Sequence, residues 1–171
     1  MAGRAAQRFE TAQGATSVKH HVLIIEAPYY QDVSDALASG AIAELEANGA
    51  TYERVAVPGA LEIPQVLTAI VAAGLIPSST DGGFTGVIAL GCVIRGETSH
   101  YDIVCQNANH WLMETATRHA IPVGNGILTV DTHAQAMVRA GHGRDGKGAD
   151  AARACLRVTE LAAAFRDRAK R

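Results

Sequence analysis

The amino-acid sequence predicts an α/β fold in which a parallel sheet of four strands packs between two layers of helices. Short apolar runs alternate four times with longer stretches of helical spacing, and turn-forming Pro-Gly or Asn-Gly pairs fall between units. The runs are mainly apolar at consecutive positions, which requires cover on both faces, as in a parallel sheet flanked by helices.

The first run, residues 21–26 (HVLIIE), ends at Ala27-Pro28 as a buried strand does. Val33, Leu37, Ala41 and Leu45 then recur every fourth residue until Asn48-Gly49 supplies a stop, which predicts a helix over 33–48. A second strand over 51–57 is closed by Pro58-Gly59. The helix after it runs from about Glu62 to Gly74, with Pro64 tolerated because it falls in the first turn. Residues 76–83 (IPSSTDGG) read as a loop. The most apolar strand, 86–94 (GVIALGCVI), leads through the polar RGETSH into a helix ending near His119. Pro122 opens the last strand, PVGNGILTV, and two helices occupy about 133–140 and 150–168. Residues 1–20 lack periodicity and read as an arm, leaving 21–171 as a single domain. The unit pattern is that of a flavodoxin-like or other doubly wound three-layer α-β-α sandwich, whose ligands bind beyond the carboxyl ends of the strands.

Composition narrows the function. A chain of 171 residues buries roughly 70% of its unfolded surface in one core. Aromatics are only 5% of the residues, so an aromatic in a loop is informative. The formal charge of −2, from 15 basic and 17 acidic residues, leaves no electrostatic footprint for nucleic acid or an anionic membrane. The longest apolar run is far short of the roughly 20 residues that span a bilayer, and the start of the chain has no secretory apolar stretch. A cytoplasmic location is expected. Cys92, Cys105 and Cys155 form no C-x-x-C pair and the seven histidines have no ligand spacing. A metal site has no positive support.

Chemistry is expected just after the strands. Tyr29 and Tyr30 follow the first, where an exposed ring can stack on a flat heterocycle. Glu62 follows the second, behind the small residues Gly59 and Ala60 that admit a ligand to the backbone; its carboxylate also suits a helix start for electrostatic reasons alone. In RGETSH the small polar residues Gly96, Thr98 and Ser99 lead into a helix and aim backbone N–H groups at an anion. His100 stands two residues beyond Thr98, and imidazole exchanges protons readily near neutral pH. Gly124-Asn125-Gly126 lies inside the last strand. GHGRDGK at 141–147 fits two glycine-rich nucleotide motifs, but these need a preceding strand, and a helix-like stretch stands there. The expected role is a loop that brings Arg139 and Lys147 to an anion.

VPGALEIP at 57–64, GCVIRGETSHYD at 91–102, NGILTVDTHAQAMVRAG at 125–141 and KGADAA at 147–152 together resemble the lumazine synthase family, in order and at family-like spacing. The resemblance implies a transferase of riboflavin biosynthesis that condenses 5-amino-6-(D-ribitylamino)uracil with L-3,4-dihydroxy-2-butanone 4-phosphate and uses no cofactor or metal. It implies that Tyr29 stacks on the pyrimidine, that Ala60, Leu61 and Glu62 hold the ribityl chain, and that Cys92, Val93 and Ile94 contact the pyrimidine through their backbone. Glu97 and Thr98 match the phosphate turn, Arg139 the arginine that neutralises it, and His100 the proton-transfer residue. Asp150 matches an acid that orients His100, Lys147 a lysine near the site, and Asn125 a residue supplied by a neighbouring subunit. Pentamers, some closed into 60-subunit shells, an arm that adds a strand to a neighbour's sheet, and association with riboflavin synthase are further implications. This chain departs from the family in having Asn125 where phenylalanine is common, Tyr29 where phenylalanine or tryptophan is, and a carboxylate at Glu97. A paralogue of the same fold that binds flavin or lumazine without turnover, or that forms a shell, is the rival reading. A nucleotide-binding module is the third.

Overall fold

The computed structural model describes residues 19–76 and 82–171. Strands β1 (His21–Ala27), β2 (Thr51–Ala56), β3 (Gly86–Ile94) and β4 (Val123–Val130) form one parallel sheet in the order β2-β1-β3-β4. The helices are α1 (Gln31–Ala47), α2 (Ile63–Ala72), α3 (His100–Arg118), α4 (His133–Ala140) and α5 (Lys147–Ala169). Strand side chains alternate between faces, which sorts the core into two layers. Val22 and Ile24 of β1, Ile88 and Leu90 of β3 and Leu128 of β4 pack with α1, α4 and α5. Leu23 and Ile25, with Val87 and Ala89, pack with α2 and α3 on the other side. This is the three-layer α/β sandwich that the sequence predicts. The expected strand contributed by the amino-terminal arm falls on residues 1–20, of which 1–18 lie outside the described residues.

The central strands β1 and β3 are buried on both faces, whereas the edge strands are not. β4 is buried at every second residue, beneath α5. β2 is largely exposed, which explains why its sequence, TYERVA, is polar where a central strand is apolar. Its Arg54 donates from Nε and Nη2 to the nearly buried Glu26 carboxylate of β1, both at 3.0 Å, so the one acid within an apolar strand is neutralised across the sheet.

α5 starts at Lys147, three residues earlier than expected, because the loop before it is tied down. Arg144 donates from Nε to Glu44 of α1 at 2.8 Å, and Arg153 of α5 approaches the same carboxylate at 3.2 Å. Glu44 is 3% exposed, on a helix face that the spacing assigns to the core boundary. The Arg144 hydrogen bond, followed by the two nearby guanidinium charges and outweighing burial, holds its carboxyl below the usual range. A folded-state pKa below the unfolded one stabilises the fold above the unfolded pKa, and that stabilisation disappears as pH falls through the folded value. Urea midpoints are therefore expected to drop on acidification from pH 7 to about pH 3. Glu44→Gln should show a lower midpoint at pH 7 and a shallower drop; an unchanged acid slope would remove Glu44 from the effect.

Candidate functional site

The chain leaves β1 towards β2 on one side and later returns to β3 on the other, so β1 and β3 meet at a topological switch point. Beyond their carboxyl ends opens a cleft of about 400 Å³. Tyr29 and Tyr30 after β1, the turn of Pro58 to Glu62 after β2, and Cys92, Val93, Ile94, Gly96 and Thr98 at the end of β3 line it, with His100, Tyr101 and Val104 of α3. Ten of the residues singled out from sequence thus fall at one place or beside it: Tyr29, Ala60, Leu61, Glu62, Cys92, Val93, Ile94, Thr98 and His100 line the cleft, while the neighbouring Glu97 is exposed and does not.

The local geometry suits a flat, polar ligand. Tyr29 is 74% exposed and meets Tyr30 in a T-shaped contact, at 5.0 Å between ring centroids, which leaves most of the Tyr29 ring open to a ligand. Tyr30 is partly buried and is anchored in turn against His133, which binds Asp32 at 2.9 Å. Ala60 to Glu62 form a single 3₁₀ turn ahead of α2, with Pro64 in that helix's first turn as expected. Burial pushes the Cys92 thiol up to about 11, which keeps it protonated and leaves its backbone as the polar group it offers. α3 starts at His100, whose N–H reaches Thr98 Oγ1 at 3.4 Å; Ser99 supplies no side-chain cap, so the positive end of the helix is open to an anion. Arg95 lies over the Tyr101 ring at 4.0 Å and binds Asp131 and Asp102, bracing the RGETSH turn against the end of β4.

Asn125, Arg139 and Lys147 are elsewhere. They line a second hollow of about 270 Å³ along the free edge of β4, with Gly126, Ile127, Leu128 and Thr129. The two hollows share no residue. Arg139 is exposed in the last turn of α4, and among the described residues it forms no ion pair, unlike Arg54, Arg95, Arg144 and Arg153. Asp150 lines neither hollow: Lys147 Nζ at 2.7 Å and Arg153 Nη1 at 2.6 Å bind its carboxylate, so within one chain its partner is Lys147 rather than His100. Lys147, first among these, holds the Asp150 carboxyl below its usual range. The glycine-rich loop is preceded by α4 and forms a 3₁₀ turn, Gly143–Asp145, whose Arg144 faces α1. It is therefore a tether between Arg139 and Lys147 and lacks the strand that a nucleotide loop requires.

Sequence reasoning passed over Tyr101 and Val104, although His100 and Val104 stand four apart at a helix start and so share a face. It also passed over Asn109, which donates from Nδ2 to the Cys105 carbonyl and accepts from Asn125 Nδ2 at 2.6 Å.

An α/β sandwich that opens an aromatic-lined cleft at its switch point, beside a helix start, suits a flat ligand that carries an anionic group. The sequence profile of 6,7-dimethyl-8-ribityllumazine synthase matches residues 19–163. The 6,7-dimethyl-8-ribityllumazine synthase of Azorhizobium caulinodans is 49% identical over 140 residues, covering 82% of this chain and 85% of that protein. Those of Methylocella silvestris, 50% identical over 142 residues, and Agrobacterium fabrum, 48% over 144, cover 83% and 84% of this chain and 85% and 95% of their own lengths. The chain belongs to the 6,7-dimethyl-8-ribityllumazine synthase family. Among the described residues no helix is long and apolar enough to cross a membrane.

Proposed function

We propose that the chain condenses 5-amino-6-(D-ribitylamino)uracil with L-3,4-dihydroxy-2-butanone 4-phosphate to 6,7-dimethyl-8-ribityllumazine, in a site assembled from the cleft of one copy and the β4-edge hollow of the next. The observation that carries this reading is the separation of the expected residues into two hollows. The cleft holds an aromatic ring, the turn of Ala60 to Glu62 and His100, while the hollow holds Arg139, which has no ion-pair partner among the described residues. Neither is complete. Exposed Ile103, Trp111 and Met113 on α3 supply apolar surface for assembly. A ring of five copies, alone or as twelve rings in a 60-subunit shell, satisfies every cleft with a neighbour's hollow. The enzyme works in the cytoplasm, and its product passes to riboflavin synthase, with which it associates.

In this reading Tyr29 stacks on the pyrimidine, Ala60, Leu61 and Glu62 receive the ribityl hydroxyls, and the backbone of Cys92, Val93 and Ile94 holds the ring edge. The turn at Glu97 and Thr98, just ahead of α3, receives the phosphate through backbone N–H groups, opposite Arg139 and Lys147 of the neighbour. The pyrimidine amine adds to the ketone and water leaves to give an imine. Phosphate then departs by elimination, and the second amine closes the ring with loss of another water. Each step moves a proton, and His100 stands where it can carry it. Alignment of two substrates for carbonyl chemistry supplies much of the acceleration.

The purified protein mixed with both substrates is expected to develop lumazine absorbance and fluorescence; its absence would overturn the assignment. His100→Ala is expected to lose turnover by a factor at or below about 10², the low end for general acid–base catalysis, because amine and phosphate carry some protons themselves. Its affinity for a pyrimidine product analogue should be retained. Unchanged turnover would remove His100 from the mechanism.

A further inference from the structure

Asn125 is not a loose side chain on an exposed strand edge. Its Oδ1 accepts the Ile127 N–H at 3.0 Å, and its Nδ2 donates to Asn109 Oδ1 at 2.6 Å. Asn109 in turn donates from its own Nδ2 to the Cys105 carbonyl at 2.8 Å. The backbone settles both amide orientations. A peptide N–H can only donate and a carbonyl can only accept, so turning either amide over would oppose like groups at two contacts. What remains on the Asn125 amide is one N–H and one oxygen lone pair. Asn125 is one of the residues that line the β4-edge hollow, with Arg139 and Lys147.

We propose that Asn109 of α3 is a positioning residue that locks the Asn125 amide so that its remaining donor and acceptor read the polar edge of the pyrimidine held in the neighbouring copy's cleft. The inference rests on the two-copy reading of the site. An amide has no aromatic face to stack, and its hydrogen bonds are directional in its own plane. It therefore discriminates only when its rotation is fixed before the ligand arrives. β4 fixes one end of the amide through Ile127, and α3 fixes the other through Asn109. α3 thus contributes to recognition twice: through His100 in its own cleft, and through Asn109 behind the hollow presented to a neighbour.

Steady-state kinetics of four variants test this. Asn109→Ala suits a helix interior and is expected to raise the Michaelis constant for the pyrimidine about 3- to 10-fold, the cost of ordering one freed side chain on binding, with that for the sugar phosphate unchanged. Asn109→Asp keeps the oxygen that accepts from Asn125 but sets its other oxygen against the Cys105 carbonyl, so it should fall between wild type and Asn109→Ala. In an Asn125→Ala background, Asn109→Ala should add nothing further. Equal weakening of both substrates, or the same penalty with Asn125 already removed, would assign Asn109 to the fold and overturn the proposal. Wild-type protein that forms no product would remove the reading of the site and this inference together. Normal wild-type turnover with a silent Asn109→Ala would remove the inference alone.

Discussion

Gly148→Val is expected to destabilise the fold by about 3 kcal/mol or more, the upper end for overpacking. α5 crosses α1 so closely that a Cβ on Gly148 would overlap the Leu37 carbonyl oxygen and carbon. Backbone cannot move aside as the end of a flexible side chain can, so the helices must separate. Separation would open the layer in which Leu37, Ala41, Ala152 and Cys155 are all completely buried. Against a typical total of roughly 5–15 kcal/mol, that leaves a protein close to its unfolding threshold. Gly96→Ala is the control, since nothing lies within 4 Å of its added Cβ; its stability should stay within about 0.5 kcal/mol. Urea unfolding of both variants decides the matter, and a Gly148→Val midpoint near wild type would mean that the crossing is looser than the backbone shows.

Arg139→Ala should raise the Michaelis constant for the sugar phosphate about 10- to 100-fold, the equivalent of losing one charge-assisted hydrogen-bonded contact of roughly 1.5–3 kcal/mol. The expectation is large because Arg139 is unlike the other arginines near it. Arg144 and Arg153 are engaged with Glu44, and Arg153 also with Asp150. Arg139 faces an open hollow without a carboxylate partner among the described residues. Lys147 stands beside it but already shares its charge with Asp150 at 2.7 Å, so it attracts an anion less. A cation at the end of a helix also complements the helix dipole, which is the structural explanation for Arg139. Initial-rate measurements with each substrate varied in turn separate the two. A rise confined to the phosphate substrate supports binding, and equal weakening of both substrates points to the helix.

The fold was legible in the sequence because its strongest signals are local. The fourfold spacing of Val33, Leu37, Ala41 and Leu45 has one explanation, a buried helix face, and all four are completely buried. The run from Gly86 to Ile94 reads as a central strand, and it is one. The cleft was legible for the same reason, since its residues follow strand ends in a fold where ligands bind there. Residue patterns alone did not show how the second set of residues sits relative to the first; only the family resemblance, which implied a neighbour's Asn125, hinted at it. Asn125 and Arg139 belong to β4 and α4, and only the sheet order, which puts β4 at an edge, separates their hollow from the cleft. Polar residues paired across distant elements were also silent. Glu44 occupies an ordinary helix position until Arg144, one hundred residues later, folds over it. Asn109 sits in mid-helix, and no spacing announces that it holds Asn125 across the gap between α3 and β4.

The most direct measurement of the two-copy site is subunit complementation. His100→Ala disables the cleft and Arg139→Ala the hollow, so each variant alone should be impaired at low sugar phosphate. Unfolded together in equal amounts and refolded into mixed rings, they bring an intact cleft beside an intact hollow at about one quarter of the interfaces, half of one kind meeting half of the other. Recovery of about one quarter of wild-type activity, above the mean of the two variants refolded separately, is the predicted result. Activity that stays at that mean when mixed assembly has been verified by native mass measurement would place His100 and Arg139 in the same chain's site and contradict the account.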